Sequence, residues 1–278
     1  MIDAPAPAPG AALVPAQLPG EARLELRAPV FVSDLHLCEA RGRTVERFLQ
    51  LLERLPGQAA ELLVLGDLFE FWAGDDSLDG AQERAGDDLV AAEVAAALRR
   101  VSAAGTRVLL MHGNRDLLLG ERFLARCGAR LLADPCTANL DGETWLLSHG
   151  DAYCTRDQPY QAFRRQARDA RFQAAFLARS LEERRALLGQ ARRMSESGKQ
   201  RMAEEIMDVT PEAIDAALRS AGARRMIHGH THRPARHEFE LDGAGAERWV
   251  LTDWDFDEAP LRGGGLRWTG RRLEAFSA

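Results

Sequence analysis

Short apolar runs recur along the chain, and stretches with helical spacing lie between them. The clearest runs are 29–33, 62–65, 107–111, 144–147, 225–227 and 249–251. Their length and their content of Val, Ile, Leu and aromatics predict strands. Pro29 is compatible with a strand only as its first residue. Residues 43–55, 87–104 and 211–221 carry apolar positions at helical spacing, and Thr210-Pro211-Glu212 supplies an N-cap with proline at the first helical position. Strands alternating with helices predict a layered α/β domain, with functional loops gathered at strand ends.

Two stretches break the alternation. Residues 1–28 repeat alanine and proline, with no basic start and no continuous apolar core to make a signal peptide. A disordered tail is expected there, followed by one domain over 29–278. From about 154 to 207 the chain reads as helix without strands, an insertion carrying Phe163, Phe172, Phe176, Leu177, Leu187 and Leu188. Residues 156–201 hold twelve basic against five acidic side chains, a local +7 in a chain of net charge -6, so the remainder carries -13. An exposed helical pair packed on the main body would account for this. So would a lid that meets an anionic, partly apolar ligand or a membrane surface.

Bulk composition narrows the function classes. At 278 residues and 46% apolar the chain can bury a large core, and its negative charge gives no reason to expect nucleic acid as a partner. Cys38, Cys127, Cys136 and Cys154 are widely spaced, which predicts free thiols rather than a disulfide framework or a zinc knuckle. No apolar run approaches the roughly 20 residues that span a bilayer.

The chemistry lies in five blocks, each directly behind an apolar run. They are Asp34-Leu35-His36, Gly66-Asp67, Gly113-Asn114-Arg115-Asp116, Ser148-His149-Gly150-Asp151 and Gly229-His230-Thr231-His232. Asp34, His36, Asp67, Asn114, His149, His230 and His232 supply two carboxylates, an amide oxygen and four imidazoles, enough for two divalent ions. In an extended chain Asp34 and His36 would point to one side and share an ion, as would His230 and His232. Asp67, at a strand end, is placed to bridge. This mixture suits Mn²⁺ or Fe²⁺ better than Zn²⁺ or Mg²⁺. Two ions about 3.5–4 Å apart activate a water for in-line attack on phosphorus, with no protein nucleophile. Arg115 is a candidate phosphate fork. Asp116 and Asp151 are expected to orient ligand histidines. His112, His228 and His237 fall outside the paired spacing, and the first two are expected to point away from the metals. Gly198-Lys199 lacks the upstream glycine and the following Ser/Thr of a phosphate-binding loop.

The ordered blocks resemble the calcineurin-like metallophosphoesterase superfamily. More narrowly, SDLHL, LGDLFEFWAGDD, HGNRDLLLG, SHGDAYCTRDQPYQAFR, IMDVTPEAI and HGHTHRPARHE are similar to the UDP-2,3-diacylglucosamine diphosphatases of lipid A biosynthesis, over roughly residues 29–256. The resemblance implies a four-layer α/β/β/α sandwich with a helical lid insertion. It implies two Mn²⁺ ions held by the seven residues above, and activated-hydroxide attack on the α-phosphorus of UDP-2,3-diacylglucosamine to give UMP and 2,3-diacylglucosamine 1-phosphate. Peripheral association with the cytoplasmic face of the inner membrane is implied too. Substrate contacts map onto Asn114, Arg115, Asp157, Ser195 and His230, with Arg192 a phosphate partner and Lys199 a substitute for the family's lid lysine, which is not matched in register. The remaining readings are another phosphodiesterase of this fold acting on nucleotides, a non-catalytic metal-binding interaction protein, and a lipid-binding module with structural metals.

Overall fold

A computed structural model of the chain describes residues 24–79, 86–199 and 208–278, without the side chains of 192–199. Strands are β1 (Leu24–Leu26), β2 (Pro29–Val32), β3 (Glu61–Leu65), β4 (Arg107–Met111), β5 (Ala129–Leu132), β6 (Cys136–Leu140), β7 (Glu143–Ser148), β8 (Arg225–His228), β9 (Ala235–Leu241), β10 (Ala244–Val250), β11 (Gly264–Trp268) and β12 (Leu273–Ser277). Helices are α1 (Gly42–Arg54), α2 (Asp87–Ala103), α3 (Glu121–Cys127), α4 (Gln158–Ala167), α5 (Ala170–Leu177), α6 (Leu181–Lys199) and α7 (Pro211–Ala221).

The strands form two six-stranded sheets, ordered β12-β11-β2-β3-β4-β5 and β1-β6-β7-β8-β10-β9. In the first, β2 through β5 run parallel. These strands read as nearly unbroken apolar runs because both faces are covered. Val30, Val32, Leu62, Val64, Val108 and Leu110 face a helical layer that includes Val45, Phe48, Val94 and Phe123. The alternate residues Phe31, Leu63, Leu65, Leu109 and Met111 meet Ala138, Trp145, Leu147 and Ile227 of the second sheet. On the outer face of that sheet, Leu146 and Met226 pack with Ile214 and Leu218 of α7. The layers are thus helix, sheet, sheet, helix. The period-two alternation of each strand decides which residue enters which layer.

The tail boundary needs correction. Leu24–Leu26 pairs parallel with Ala138–Leu140, and Leu26 is buried. Arg27 and Ala28 donate their backbone N–H groups to the buried Glu61 carboxylate. The main body therefore begins by Leu24, and the Ala/Pro reading concerns residues 1–23, outside those described. The insertion supplies α4, α5 and α6, beginning at Gln158, whereas Cys154 belongs to the outer core. Thr210 does precede α7, but its hydroxyl hydrogen-bonds Thr155 Oγ1 at 2.7 Å instead of capping the helix.

Charges of opposite sign join insertion to body. Arg164 lies 2.9 Å from Asp151, with Arg168 3.2 Å from the same carboxylate and 3.9 Å from Asp134. Buried Arg184 grips Asp76 with two N–H groups, and Arg185 pairs with Asp88. Four of the eight basic side chains described between 156 and 191 are therefore turned inward. As a test of the two-sheet core, Phe31→Ala should cost about 3–5 kcal/mol in urea unfolding. A cost under ~1 kcal/mol would mean that the sheets do not close over this ring.

Candidate metal centre

The five blocks converge because their strands are neighbours running the same way. β2, β3 and β4 adjoin in one sheet and β7 and β8 in the other, and each block sits just beyond a C-terminal strand end. Backbone bonds stitch the loops together: Asp34 N to Gly66 O, His36 N to Asp67 O, and Gly229 N to His149 O, at 3.1, 3.0 and 2.9 Å. The sheets are tied across the site by His230 N donating to Asp34 Oδ2 at 2.9 Å.

Asp34, His36, Asp67, His230 and His232 all adopt positive φ, between 50° and 68°. The paired spacing therefore works differently from the extended-chain expectation. A left-handed residue turns the chain sharply, so the side chains of 34 and 36, and of 230 and 232, are aimed by the turn and not by strand alternation. Such backbone is unfavourable for non-glycine residues by about 1–3 kcal/mol each and persists only where surroundings enforce it.

Asp34, His36 and His232 form one group with donor atoms within 4.8 Å of one another, and Asp34, Asp67 and His149 form a second. Asp34 is common to both. Asp67 Oδ2 also faces both ways, 3.8 Å from His36 Nε2 and 3.7 Å from His149 Nε2. Asn114 Oδ1 lies 3.0 Å from His149 Nε2, so its amide oxygen adjoins the second group at His149. The His230 ring stands 5.1 Å from that of His149 and stacks on Tyr160, outside both groups. Close approach of the carboxylates demands glycine: a Cβ on Gly113 would overlap Asp67 Oδ1, and one on Gly229 would overlap Asp34 Oδ2.

The donor set fits a divalent cation. Asp34 Oδ1 is buried and accepts no well-aligned hydrogen bond, with His232 Nε2 3.4 Å away. Burial works against the Asp34 carboxylate, but His232, His149 and His36 outweigh it and hold the group far below the usual carboxylate range. His230, by contrast, is kept well below its ordinary value by burial and the neighbouring His149, and stays neutral. Burial pulls His149 down, yet Asp67, Asp34, Asp151 and Asp134 more than reverse this and raise it to about 9. Its Nδ1 is 3.0 Å from the Leu65 carbonyl, which leaves Nε2 to face Asn114 and Asp67.

Two supporting roles are reassigned. Asp116 does not orient a histidine. It accepts from Leu68 N at 2.7 Å and Gly113 N at 2.9 Å, fastening the loops that carry Asp67 and Asn114. Asp151 accepts from Tyr160 and Arg164 and so anchors α4. The carboxylates beside histidine Nδ1 atoms are instead Glu70, 2.9 Å from His36, and Asp253, 3.4 Å from His232. Neither belongs to the five blocks, although Glu70 stands three residues after Asp67 in LGDLFE. His228 ends β8 and accepts from Arg248, while His112 lies past the end of β4 and contacts the Leu119 carbonyl.

At its edge the centre opens into an apolar cleft of about 370 Å³. Asn114 and Arg115 line its mouth, with Phe163, Phe172 and Phe176 of the insertion facing Trp72 of the body. Asp157 caps α4, accepting from Tyr160 N at 3.0 Å. Arg192, Ser195 and Lys199 fall in the last turns of α6, where side chains lie outside those described.

Residues 30–234 match the family described as calcineurin-like phosphoesterase. The chain is 45% identical over 241 residues to the UDP-2,3-diacylglucosamine hydrolase of Aromatoleum aromaticum, covering 87% of this chain and 93% of that protein. The chain belongs to the UDP-2,3-diacylglucosamine hydrolase family of calcineurin-like phosphoesterases. Similar relatives of the same name occur in Chromohalobacter salexigens, at 48% identity over 81% of this chain and 88% of theirs, and in Bordetella pertussis, at 46% over 88% and 93%. The α/β sandwich and the hydrolase family expected from the sequence agree with this membership.

A metal at the second group must displace the Nε2 proton of His149. Divalent-metal affinity, followed by calorimetry, is expected to rise about tenfold per pH unit toward pH 9 and then level off. The stability contribution of His149 in chelator-treated protein has the opposite trend. It is full below its ordinary 6.5 and is lost as pH rises through about 9, because the folded state holds the proton more tightly. A urea midpoint that stays flat over that window would contradict this electrostatic account.

Proposed function

We propose that the protein hydrolyses the pyrophosphate of UDP-2,3-diacylglucosamine, giving UMP and 2,3-diacylglucosamine 1-phosphate. The observation that carries this reading is the continuity of a metal centre with an apolar cleft through Asn114 and Arg115. A substrate must then bring phosphate to one end and hydrocarbon to the other, and the named relatives act on such a molecule by their names. A soluble nucleotide would leave the phenylalanine-lined cleft without a role.

Asp34, His36, Asp67, Asn114, His149, His230 and His232 are proposed to hold two ions. Mn²⁺ is favoured by the mixture of imidazole, carboxylate and amide oxygen. When bound, such ions supply an activated water and neutralise charge on phosphate oxygens. The chain's own groups do the rest. Arg115, whose backbone N–H donates to Asp67 at 2.8 Å and whose guanidinium lies 3.7 Å from Glu70 at the cleft mouth, is proposed to fork a phosphate oxygen. Neutral His230 can donate to the leaving or non-bridging oxygens. Asp157, Ser195, Arg192 and Lys199 are proposed substrate contacts on the insertion.

Membrane association is supported by chemistry at the insertion surface. Leu177, outside the cleft lining, is exposed on it, and Phe163, Phe172 and Leu187 at the cleft are part-exposed; exposed Arg165 and Arg171 are close to these phenylalanines in sequence. Apolar residues beside cations suit shallow burial at an anionic interface, here proposed to be the cytoplasmic face of the inner membrane. No helix among the described residues is long and apolar enough to cross a membrane.

Incubation with UDP-2,3-diacylglucosamine and Mn²⁺ should release UMP, and Asp67→Ala should lower turnover at least ~10³-fold without unfolding the protein. Near-normal turnover in that variant would overturn the centre. Phe172→Asp should damage hydrolysis of the diacylated substrate far more than that of a small aryl phosphodiester. Equal losses would remove the cleft from substrate binding and favour a phosphodiesterase for small nucleotides.

A further inference from the structure

Glu70 stands between two functional loops. Its backbone N–H donates to the Leu37 carbonyl at 3.2 Å, and Trp72 N donates to the Arg115 carbonyl at 3.2 Å. The segment is thus tied on one side to the loop of His36 and on the other to the loop of Arg115. The Glu70 side chain is buried and presents one oxygen to each: Oε2 is 2.9 Å from His36 Nδ1, a charge contact too bent to be a hydrogen bond as it stands, and Oε1 is 3.7 Å from Arg115 Nη1. On the far side of the ring, His36 Nε2 lies 3.4 Å from His232 Nε2 and 3.8 Å from Asp67 Oδ2. Only one face of His36 therefore points at the centre, and Glu70 occupies the other.

We infer that Glu70 is a positioning residue with two simultaneous jobs. It selects the Nδ1–H tautomer of His36, so that the Nε2 lone pair faces the metal, and it steers the Arg115 guanidinium over the same centre. The physical reason is the cost of a buried carboxylate, which requires partners on both oxygens. Here the partners are a metal-facing imidazole and a phosphate-facing cation, so one side chain sets the geometry of both. A carboxylate behind a histidine also makes the ring a better donor to metal. The roles given to His36 and Arg115 rest on the function proposed above; the tautomer claim needs neither substrate nor metal.

The test compares wild type, Glu70→Ala and Glu70→Gln as full-length protein. Histidine ¹H–¹⁵N spectra of chelator-treated samples report the tautomer, with His36 assigned through His36→Asn. Calorimetry with Mn²⁺ reports affinity, and steady-state assays separate KM from kcat. Glu70→Ala should move His36 toward the Nε2–H form and weaken Mn²⁺ binding roughly 10–100-fold. Glu70→Gln should keep the Nδ1–H form, because its amide oxygen still accepts, yet raise KM because a neutral amide no longer steers Arg115. Wild-type tautomer and wild-type Mn²⁺ affinity in folded Glu70→Ala would overturn the inference. Should that variant fail to fold, Glu70→Gln decides alone: a raised KM with the tautomer kept supports the role, and an unchanged KM or a lost tautomer overturns it. If the wild type bound no Mn²⁺, the metal reading would fall by itself, and the tautomer comparison would still decide the role of Glu70.

Discussion

Asp34 and Asp67 share one buried space at the edge of two sheets, and two carboxylates cannot lie that close without positive charge between or around them. Much of the surrounding structure answers this constraint. Backbone N–H groups of His230 and Arg115 point at the two carboxylates, and His36, His149 and His232 ring them. Gly113 and Gly229 leave room where any side chain would collide with an acidic oxygen. The left-handed backbone at five of the seven candidate ligands is the conformational cost of holding this arrangement. A divalent cation relieves the same repulsion. Fold and proposed chemistry therefore depend on one electrostatic fact.

The insertion answers a second charge imbalance. Its arginines could have formed a uniformly basic outer face. Instead Arg164, Arg168, Arg184 and Arg185 reach back to Asp151, Asp134, Asp76 and Asp88. Asp76 and its neighbour Asp75 divide the work at one turn. Asp75 holds Gly120 N and Phe123 N at the start of α3 as well as the Trp72 indole, while Asp76 holds the insertion. Because Trp72 also lines the apolar cleft, the contacts that fix the insertion help shape the space beneath it.

Parts of this were legible in the residues and parts were not. The buried parallel strands announce themselves, since a strand covered on both faces has no polar positions to obscure it; β4 has the bounds expected of it. The exposed strand β9, with Arg236, Glu238 and Glu240, carries too little apolar signal to be read that way. A different local signal marks its hairpin. Asp141-Gly142 and Asp242-Gly243 each join two antiparallel strands through a turn with both residues at positive φ, and Asp-Gly between such runs marks a hairpin. At the site, motif residues could be read because each follows a strand. Asp253 could not, because it approaches His232 only after the chain has passed through β9 and β10.

The sequence by itself determined the layer pattern of the buried strands, the ordered donor set and the family, because alternation and short motifs are local and survive without neighbours. Tertiary structure alone decided which carboxylate serves which partner. Asp116 and Asp151 stand beside candidate ligands in the chain yet fasten loops and a helix, while Glu70 and Asp253 meet the histidines. Spacing along the backbone sets where a side chain starts. Where its charge finds a partner is settled by sheets packing face to face and by the burial that makes an unpaired charge too costly to keep.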